Sequence, residues 1–199
     1  CFFDQTYIKG LPNDVFKKAG LTVVDIGANV GFFSLFMFSK DKKAKIFSFE
    51  PMPMNFELLN KYKKENPGLN FTVVNKAVSK EKTTITLNYD SKDSFSTAAS
   101  IFDSNSQADK IQVETTTLEA ILSDNNLSNI DFLKLDCEGS EYGILYGASQ
   151  AVLNKISTIS IETHLGKAEN ENLNSLSDYL KKNGFEINSK ADIIWAWKN

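Results

Sequence analysis

Acidic side chains follow several strand-like runs of this sequence, and acids in such places suit a ligand that carries positive charge. Asp25 directly precedes a glycine turn, in which Gly27, Asn29 and Gly31 lead into a helix-like segment. The backbone N–H groups of a turn of this kind can face a ligand. A dinucleotide turn needs glycines in the order G-x-G-x-x-G, whereas this turn has only G-x-x-x-G. The pattern favours a ligand without a pyrophosphate, although such a turn can also be a plain strand–helix connection.

Two further groups of residues follow the next strand-like runs and suit a nucleoside. Glu50, followed by Pro51, ends the second run, where a carboxylate can accept hydrogen bonds from both hydroxyls of a ribose. Asn75, Lys76 and Ala77 follow the third run, and their amide and backbone groups could hold an adenine. Either group alone could be an ordinary surface feature. The succession of three strand ends is what favours a nucleoside site.

More ionisable residues surround the fourth and fifth strand ends and are candidates for the chemical step. Lys134, Asp136 and Glu138 lie in the segment KLDCEGSE, and strand alternation puts the first two on one side. Glu162 and His164 end the next run, and His164 is the only histidine. A neutral imidazole near pH 7 can take a proton from a hydroxyl. A Lys–Asp ion pair, a solvated helix start and an incidental loop histidine are the structural alternatives.

The same residues could also be drawn as an oxygen-rich metal site. Its ligands would be Asp136, Glu138, Glu162 and His164. Their spacing follows no tight metal-ligand pattern, so the sequence predicts no metal.

A parallel sheet is needed to bring these strand ends together, and the order of elements predicts one. Strands are predicted over residues 21–26, 44–50, 70–75, 130–136, 156–162, 185–188 and 192–197. Helical patterns begin at Val30 and Pro53 and follow the fourth and fifth strands. This alternation is typical of a doubly wound, Rossmann-like α/β sheet, in which the carboxyl ends of the strands share one edge.

The length and composition suit one domain with a full core. The chain has 199 residues, 42% of them hydrophobic. Residues 1–20 are predicted to form an N-terminal cap with a short helix over 13–18, which covers a sheet edge or closes the site. Residues 21–199 are predicted to form the main domain, with a flexible insertion over 90–110, which is rich in Ser, Asp and Asn.

Charge and hydropathy disfavour several classes of partner. The formal net charge of −3 gives no basic field for a nucleic acid. The longest wholly apolar runs have about four or five residues, which is too short for a transmembrane span. No signal peptide is visible, so a cytoplasmic protein with a small-molecule partner is expected.

Taken in their order, the motifs resemble those of the FkbM-type methyltransferases. They are DIGANVGFFS, FEPMPMNFELL, NKAVS, TTTLEAIL, FLKLDCEGSEYGILYGA and ISIETH, and they cover residues 21 to 164. The resemblance implies an S-adenosylmethionine-dependent transferase, typically an O-methyltransferase acting on a hydroxyl of a sugar or small metabolite, with S-adenosylhomocysteine as product. It also implies a sheet of seven strands, mostly parallel, with an antiparallel last strand.

The resemblance also implies roles for individual residues. Those implied to bind the cofactor are Asp25, Gly27, Asn29, Gly31, Glu50, Pro51, Asn75, Ala77 and Asp136. Within this set Asp25 and the glycine turn would line the methionine part, and Asp136 would face the methionine amine or the methyl centre. Glu50 would bind the ribose, and residues 75–77 would bind the adenine. The residues implied to orient or deprotonate the acceptor hydroxyl are Lys134, Glu138, Glu162 and His164.

Two other functions stay open at this point. A nicotinamide-dependent oxidoreductase would share the α/β fold, but the missing middle glycine and Asp25 argue against it. A non-catalytic relative that binds the cofactor would keep the same motifs, because methyl transfer requires no single obligatory residue. Retained cofactor affinity without transfer to any acceptor would favour that second alternative.

Overall fold

The structure is a computed structural model that describes residues 2–89 and 109–198. The described strands are β1 Thr22–Ile26, β2 Lys45–Phe49, β3 Asn70–Val74, β4 Ala77–Val78, β5 Thr84–Tyr89, β6 Asp109–Thr116, β7 Ile130–Leu135, β8 Ile156–Glu162, β9 Glu186–Lys190 and β10 Ile193–Trp197. The described helices are α1 Phe32–Lys40, α2 Pro53–Glu65, α3 Leu118–Asp124, α4 Glu141–Gly147, α5 Gln150–Leu153 and α6 Leu173–Lys182, preceded by a π-helical turn, Asp4–Ile8. None of these helices is long and apolar enough to cross a membrane.

Seven strands form the main sheet, in the order β3-β2-β1-β7-β8-β10-β9. Strands β3, β2, β1, β7 and β8 pair in parallel, and β10 is antiparallel to both of its neighbours. The predicted Rossmann-like sheet with an antiparallel last strand is therefore confirmed. The chain order reverses between β1 and β7, and open α/β sheets bind ligands outside the carboxyl ends of strands at such a point.

A smaller sheet, ordered β4-β6-β5, is formed by the three strands that follow β3 along the chain. Its strands β5 and β6 pair antiparallel, with Thr84 opposite Glu114 and Tyr89 opposite Asp109. The predicted insertion over 90–110 is wrong at residues 109 and 110, which belong to β6. Cross-strand pairing with β5 extends this strand beyond what its polar composition indicates. The rest of that prediction falls on residues 90–108, which lie outside the described residues.

The central strands are buried on both faces, which explains their continuous apolar runs. Val24 of β1 and Leu133 of β7 belong to one core cluster, with side chains of α3, α4 and α6. Val23 and Phe132, one residue away on the same strands, belong to a second cluster with α1 and α2. The helices thus hold the sheet from both sides, and the strand ends at its edge are rigidly placed.

The N-terminal segment differs from its prediction. Instead of a helix over 13–18 there are only turns and bends, and the π-helical turn precedes them. Tyr7 of that turn is 2% exposed and packs edge-to-face on Phe33, with 5.3 Å between ring centroids. A helix over 13–18 would have only six residues, and so short a segment is not a stable helix on its own. The segment covers the sheet beside α1.

Candidate functional site

The turn between β1 and α1 brings backbone N–H groups to the carboxyl edge of the sheet. Gly27, Asn29 and Gly31 have positive φ angles of 71°, 49° and 86°. A Cβ atom on Gly27 would lie 1.7 Å from the Asp136 carbonyl oxygen, and one on Gly31 would lie 2.4 Å from Leu59 Cδ2. Glycine at 27 therefore lets the turn approach the end of β7, and glycine at 31 lets α1 pack on α2.

The Glu50 carboxylate is held in place by backbone hydrogen bonds. Its Oε2 accepts from the Asn29 N–H at 2.7 Å, and its Oε1 accepts from the Met52 N–H at 2.9 Å. The side chain is 4% exposed, and burial raises the pKa of its carboxyl. Asn55 Nδ2 also approaches Oε1, at 3.5 Å, so the accepting capacity for a further donor is greater at Oε2. The end of β2 thus presents a preorganised carboxylate next to the glycine turn, and its contact with a ribose diol stays a prediction.

The residues after β3 have two different roles. The Asn75 side chain donates to the carbonyl oxygens of Glu50 and Pro51, at 2.9 Å each. It therefore fixes the β2–α2 connection, while Pro51 and Ala77 line the adjacent cleft. Of the residues predicted to contact an adenine, Ala77 lines the cleft. Asn75 does not line it and instead holds the backbone of the β2–α2 connection.

An open cleft joins these strand ends. Its charged lining is Glu50, Asp136 and Glu138, and no lysine of the described residues lines it. Gly27 and Asn29 contribute to it as well, whereas Asp25 and Gly31 do not. Apolar side chains of the cleft include Met52, Ile85 and Leu87. A cleft with three carboxylates disfavours a phosphate and favours a ligand with positive charge next to an apolar group.

Asp25 lies beneath the glycine turn. Its side chain is 0% exposed, and its Oδ2 accepts a hydrogen bond from the Ser34 hydroxyl at 2.7 Å. Burial raises the pKa of this carboxyl. The predicted contact between Asp25 and the methionine part of a cofactor is therefore wrong for this geometry, because the side chain points into the core and supports the turn from below.

Lys134 is the buried counterion of this region. Its Nζ lies 3.5 Å from Asp25 Oδ1 and 3.4 Å from Asp136 Oδ2, and it donates to the Gly27 carbonyl at 2.7 Å. Burial lowers its pKa, but the charges of Asp25 and Asp136 outweigh this effect and raise the pKa overall. An ammonium group that stays charged cannot take a proton. The predicted role of Lys134 in deprotonating an acceptor is thus replaced by a structural one.

Asp136 and Glu162 meet where the neighbouring strands β7 and β8 end. The Tyr7 hydroxyl lies 2.9 Å from Asp136 Oδ2 and 2.9 Å from Glu162 Oε2. Burial, followed by the charge of Asp136, raises the pKa of Glu162. Sequence reasoning missed Tyr7, because these partners lie 129 and 155 residues away along the chain. Two predicted site residues are thus brought together by an unpredicted third.

His164 is paired with two glutamates. Its Nδ1 lies 2.7 Å from Oε1 of the buried Glu141, and its Nε2 lies 3.6 Å from Glu138 Oε2. The hydrogen bond with Glu141 raises the pKa of His164 to about 9. The imidazole is therefore charged at pH 7, and the neutral form predicted to accept a proton is the minor one. His164 can donate a hydrogen bond or stabilise negative charge, but it is a poor proton acceptor at neutral pH.

The structure also brings together atoms that could hold an ion. Side-chain atoms of Asp136, Glu162 and His164 lie within 4.8 Å of one another. Tyr7 already contacts both carboxylates, and Lys134 lies beside Asp136. Within the described part of the chain this group is a hydrogen-bonded carboxylate pair next to an imidazolium, and we assign no metal to it.

One family model matches most of the chain, and two curated relatives align with nearly all of it. Residues 25–187 match the family model described as the methyltransferase FkbM domain. The chain is 28% identical over 224 residues to the methyltransferase sdnD of Sordaria araneosa. That alignment covers 98% of this chain and 83% of sdnD. It is 25% identical over 237 residues to the AMB antimetabolite synthetase AmbE of Pseudomonas aeruginosa, over 97% of this chain. This chain spans only 11% of AmbE.

Two crystal structures share the fold. The methyltransferase FkbM of Methylobacillus flagellatus KT superposes with a TM-score of 0.61 at 18% identity, over 89% of this chain and 43% of that one. The precorrin-6y C5,15-methyltransferase of Geobacter metallireducens GS-15 gives 0.50 at 14% identity, over 94% and 84%. At these identities the likeness is one of fold.

Proposed function

The chain belongs to the FkbM methyltransferase domain family, and we propose that it transfers a methyl group from S-adenosylmethionine to a hydroxyl of a sugar or small metabolite. When bound, this cofactor would supply an electrophilic methyl group on a sulfonium centre. One observation carries the proposal. The Glu50 carboxylate is fixed at the end of β2, the strand next to β1, where the strand order reverses towards β7, and it lines a cleft with two further carboxylates.

The residues present fit this cofactor. Glu50 can accept hydrogen bonds from a ribose diol, and Met52, Ile85 and Leu87 offer an apolar wall to an adenine. The carboxylates of Asp136 and Glu138 favour a sulfonium and an ammonium group in the same cleft. Those carboxylates would repel the pyrophosphate of a nicotinamide dinucleotide, so the charge of the cleft disfavours the oxidoreductase alternative.

In this proposal the acceptor oxygen gains the methyl group and its proton passes to Glu162. Glu162 stands at the end of β8, and its raised pKa makes it a better proton acceptor than an ordinary carboxylate. His164 is already protonated near pH 7, and it can stabilise negative charge that develops on the acceptor oxygen. Because the reaction is a displacement between two bound molecules, much of the acceleration comes from holding them in line.

Calorimetric titration with S-adenosylmethionine, S-adenosylhomocysteine and NAD tests the cofactor. We expect the first two to bind and NAD not to bind. Glu50→Gln should weaken binding of S-adenosylhomocysteine roughly tenfold or more, because a hydrogen bond to a charged group is lost. Glu57→Gln, an exposed glutamate on α2, is the matched control and should leave the affinity unchanged. Binding of NAD alone, or an unchanged affinity in Glu50→Gln, would contradict the proposal.

Transfer is tested separately with methyl-labelled S-adenosylmethionine and a panel of sugars and hydroxylated metabolites. Label is expected in an ether methyl group of at least one acceptor. Glu162→Gln should abolish most of that incorporation while it leaves the cofactor affinity in place. Tight cofactor binding without transfer to any member of the panel would instead favour the non-catalytic relative.

A further inference from the structure

One phenol hydroxyl contacts two carboxylates at the proposed transfer site. The Tyr7 oxygen is 2.9 Å from Asp136 Oδ2 and 2.9 Å from Glu162 Oε2. A phenol has a single proton to donate, so Tyr7 can donate to only one of these oxygens at a time. The other contact is favourable only when that carboxyl group carries a proton and donates it to the phenol oxygen. The equal distances therefore describe one hydroxyl with two alternative partners.

The two carboxylates are not equivalent. Lys134 Nζ lies 3.4 Å from Asp136 Oδ2, and this ammonium group stabilises the ionised form of Asp136. Among the described residues, the largest influences on Glu162 come from Tyr7, Asp136, Asp192 and His164, and Glu138 interacts with it as well. Among them only His164 is a cation, and three are acids. The exchangeable proton of the pair therefore belongs on Glu162, because Asp136 is the carboxylate with the Lys134 ammonium group beside it.

The O–H bond of Tyr7 can rotate while the phenol keeps its proton. Its ring is buried against Phe33, and Lys134 Nζ lies 5.5 Å from the ring centroid. Burial, together with the two carboxylates, raises the pKa of Tyr7 far above its ordinary value. The ring is thus fixed and the phenol stays neutral, so that only the direction of its O–H bond can change.

We propose that Tyr7 is a positioning residue whose hydroxyl turns between Glu162 and Asp136 as Glu162 gains and loses the acceptor's proton. The assignment of that proton to the acceptor rests on the proposed function. With Glu162 ionised, Tyr7 donates to Glu162. When the acceptor O–H bond breaks and the proton moves to Glu162, Glu162 donates to the Tyr7 oxygen and Tyr7 donates to Asp136. Every proton stays hydrogen-bonded in both states, and the number of protons balances.

The titration of the Glu162 carboxyl tests this coupling. It is followed by ¹³C NMR of protein labelled at the glutamate side-chain carboxyls, and Glu162→Gln assigns the resonance. Tyr7→Phe keeps the buried ring and removes only the hydroxyl. We expect the pKa of Glu162 to rise by about one unit, because the hydrogen bond that the ionised form loses is stronger than the one that the protonated form loses. Tyr179→Phe is the control, since its hydroxyl donates to the Leu145 carbonyl away from Glu162.

An unchanged Glu162 midpoint in a folded Tyr7→Phe variant would overturn the proposal. If circular dichroism shows that this variant does not fold, Asp136→Asn tests the same hydrogen-bonded group by changing the other carboxylate that contacts Tyr7. In that variant Glu162 loses a charged neighbour and its competitor for Tyr7, so its midpoint should fall, and a midpoint that stays in place would overturn the proposal. The titration uses neither cofactor nor acceptor. Its failure is therefore distinct from a failure of S-adenosylhomocysteine to bind.

Discussion

Lys134 donates a hydrogen bond to the carbonyl oxygen of Gly27 at 2.7 Å, so a cation on β7 holds the turn that follows β1. The same ammonium group lies 3.5 Å from the fully buried Asp25 and 3.4 Å from Asp136. One buried side chain thus offsets two acids and fixes the backbone that borders the cleft. The cost of burying these charges is repaid only while all of them are present.

Lys134→Met should therefore destabilise the protein strongly. The variant keeps most of the side-chain volume but leaves Asp25 buried without its counterion. We expect the free energy of unfolding to fall by about 3–5 kcal/mol, as when one partner of a buried ion pair is removed. Urea denaturation at pH 7 measures it. Lys45→Met, an exposed lysine on β2, is the control and should change stability little.

The double variant Lys134→Met/Asp25→Asn separates charge from shape. If the unpaired carboxylate is what costs stability, removing it should restore a clear part of the loss. A double variant no more stable than Lys134→Met alone would show that packing, rather than charge, governs this position.

Gly27→Ala tests the close approach between the glycine turn and β7. The added Cβ would lie 1.7 Å from the Asp136 carbonyl oxygen, and φ at this position is +71°. We expect the free energy of unfolding to fall by roughly 2–4 kcal/mol, because the backbone of the turn must move to make room for the methyl group. Thermal unfolding measures this. Gly143→Ala is the matched control: nothing lies within 4 Å of its added Cβ, and alanine in α4 should be neutral or stabilising.

The strand ends were predictable because their signals are local. Asp25, Gly27 and Glu50 each follow or end an apolar run, and a parallel sheet necessarily puts such ends at one edge. Tyr7 was not predictable in this way. Its partners are 129 and 155 residues away, and the local pattern of residues 1–20 points to Asn13 instead.

The charge states at the site could not be predicted either, since they depend on neighbours that only the fold provides. His164 is charged at neutral pH because Glu141 turns inward from the start of α4 to meet it. By its sequence position, Glu141 is equally suited to a solvated helix start. The side of the sheet to which Lys134 points is likewise set by the pairing of β7 with β1.

Asn75 should affect cofactor binding indirectly. Its side chain holds the carbonyl oxygens of Glu50 and Pro51 at 2.9 Å, so its removal should loosen the segment that carries the Glu50 carboxylate. We expect Asn75→Ala to weaken S-adenosylhomocysteine binding by about 3–10-fold, consistent with one or two neutral hydrogen bonds. Calorimetry measures this. Asn66→Ala, at the far end of α2, serves as control. A loss of several hundredfold in Asn75→Ala would instead indicate a direct contact with the cofactor.

The pairing of His164 with Glu141 should make stability fall as the pH rises. The folded pKa of about 9 lies above the ordinary value of 6.5, so the stabilisation is fully present below pH 6.5 and is lost as the pH rises through 9. Because the side chain is partly exposed, we expect a loss of about 1 kcal/mol, measured by urea denaturation between pH 6 and 10. His164→Asn should lose this dependence, and NMR of the only imidazole gives its midpoint directly. A midpoint near 6.5 would contradict the ion pair.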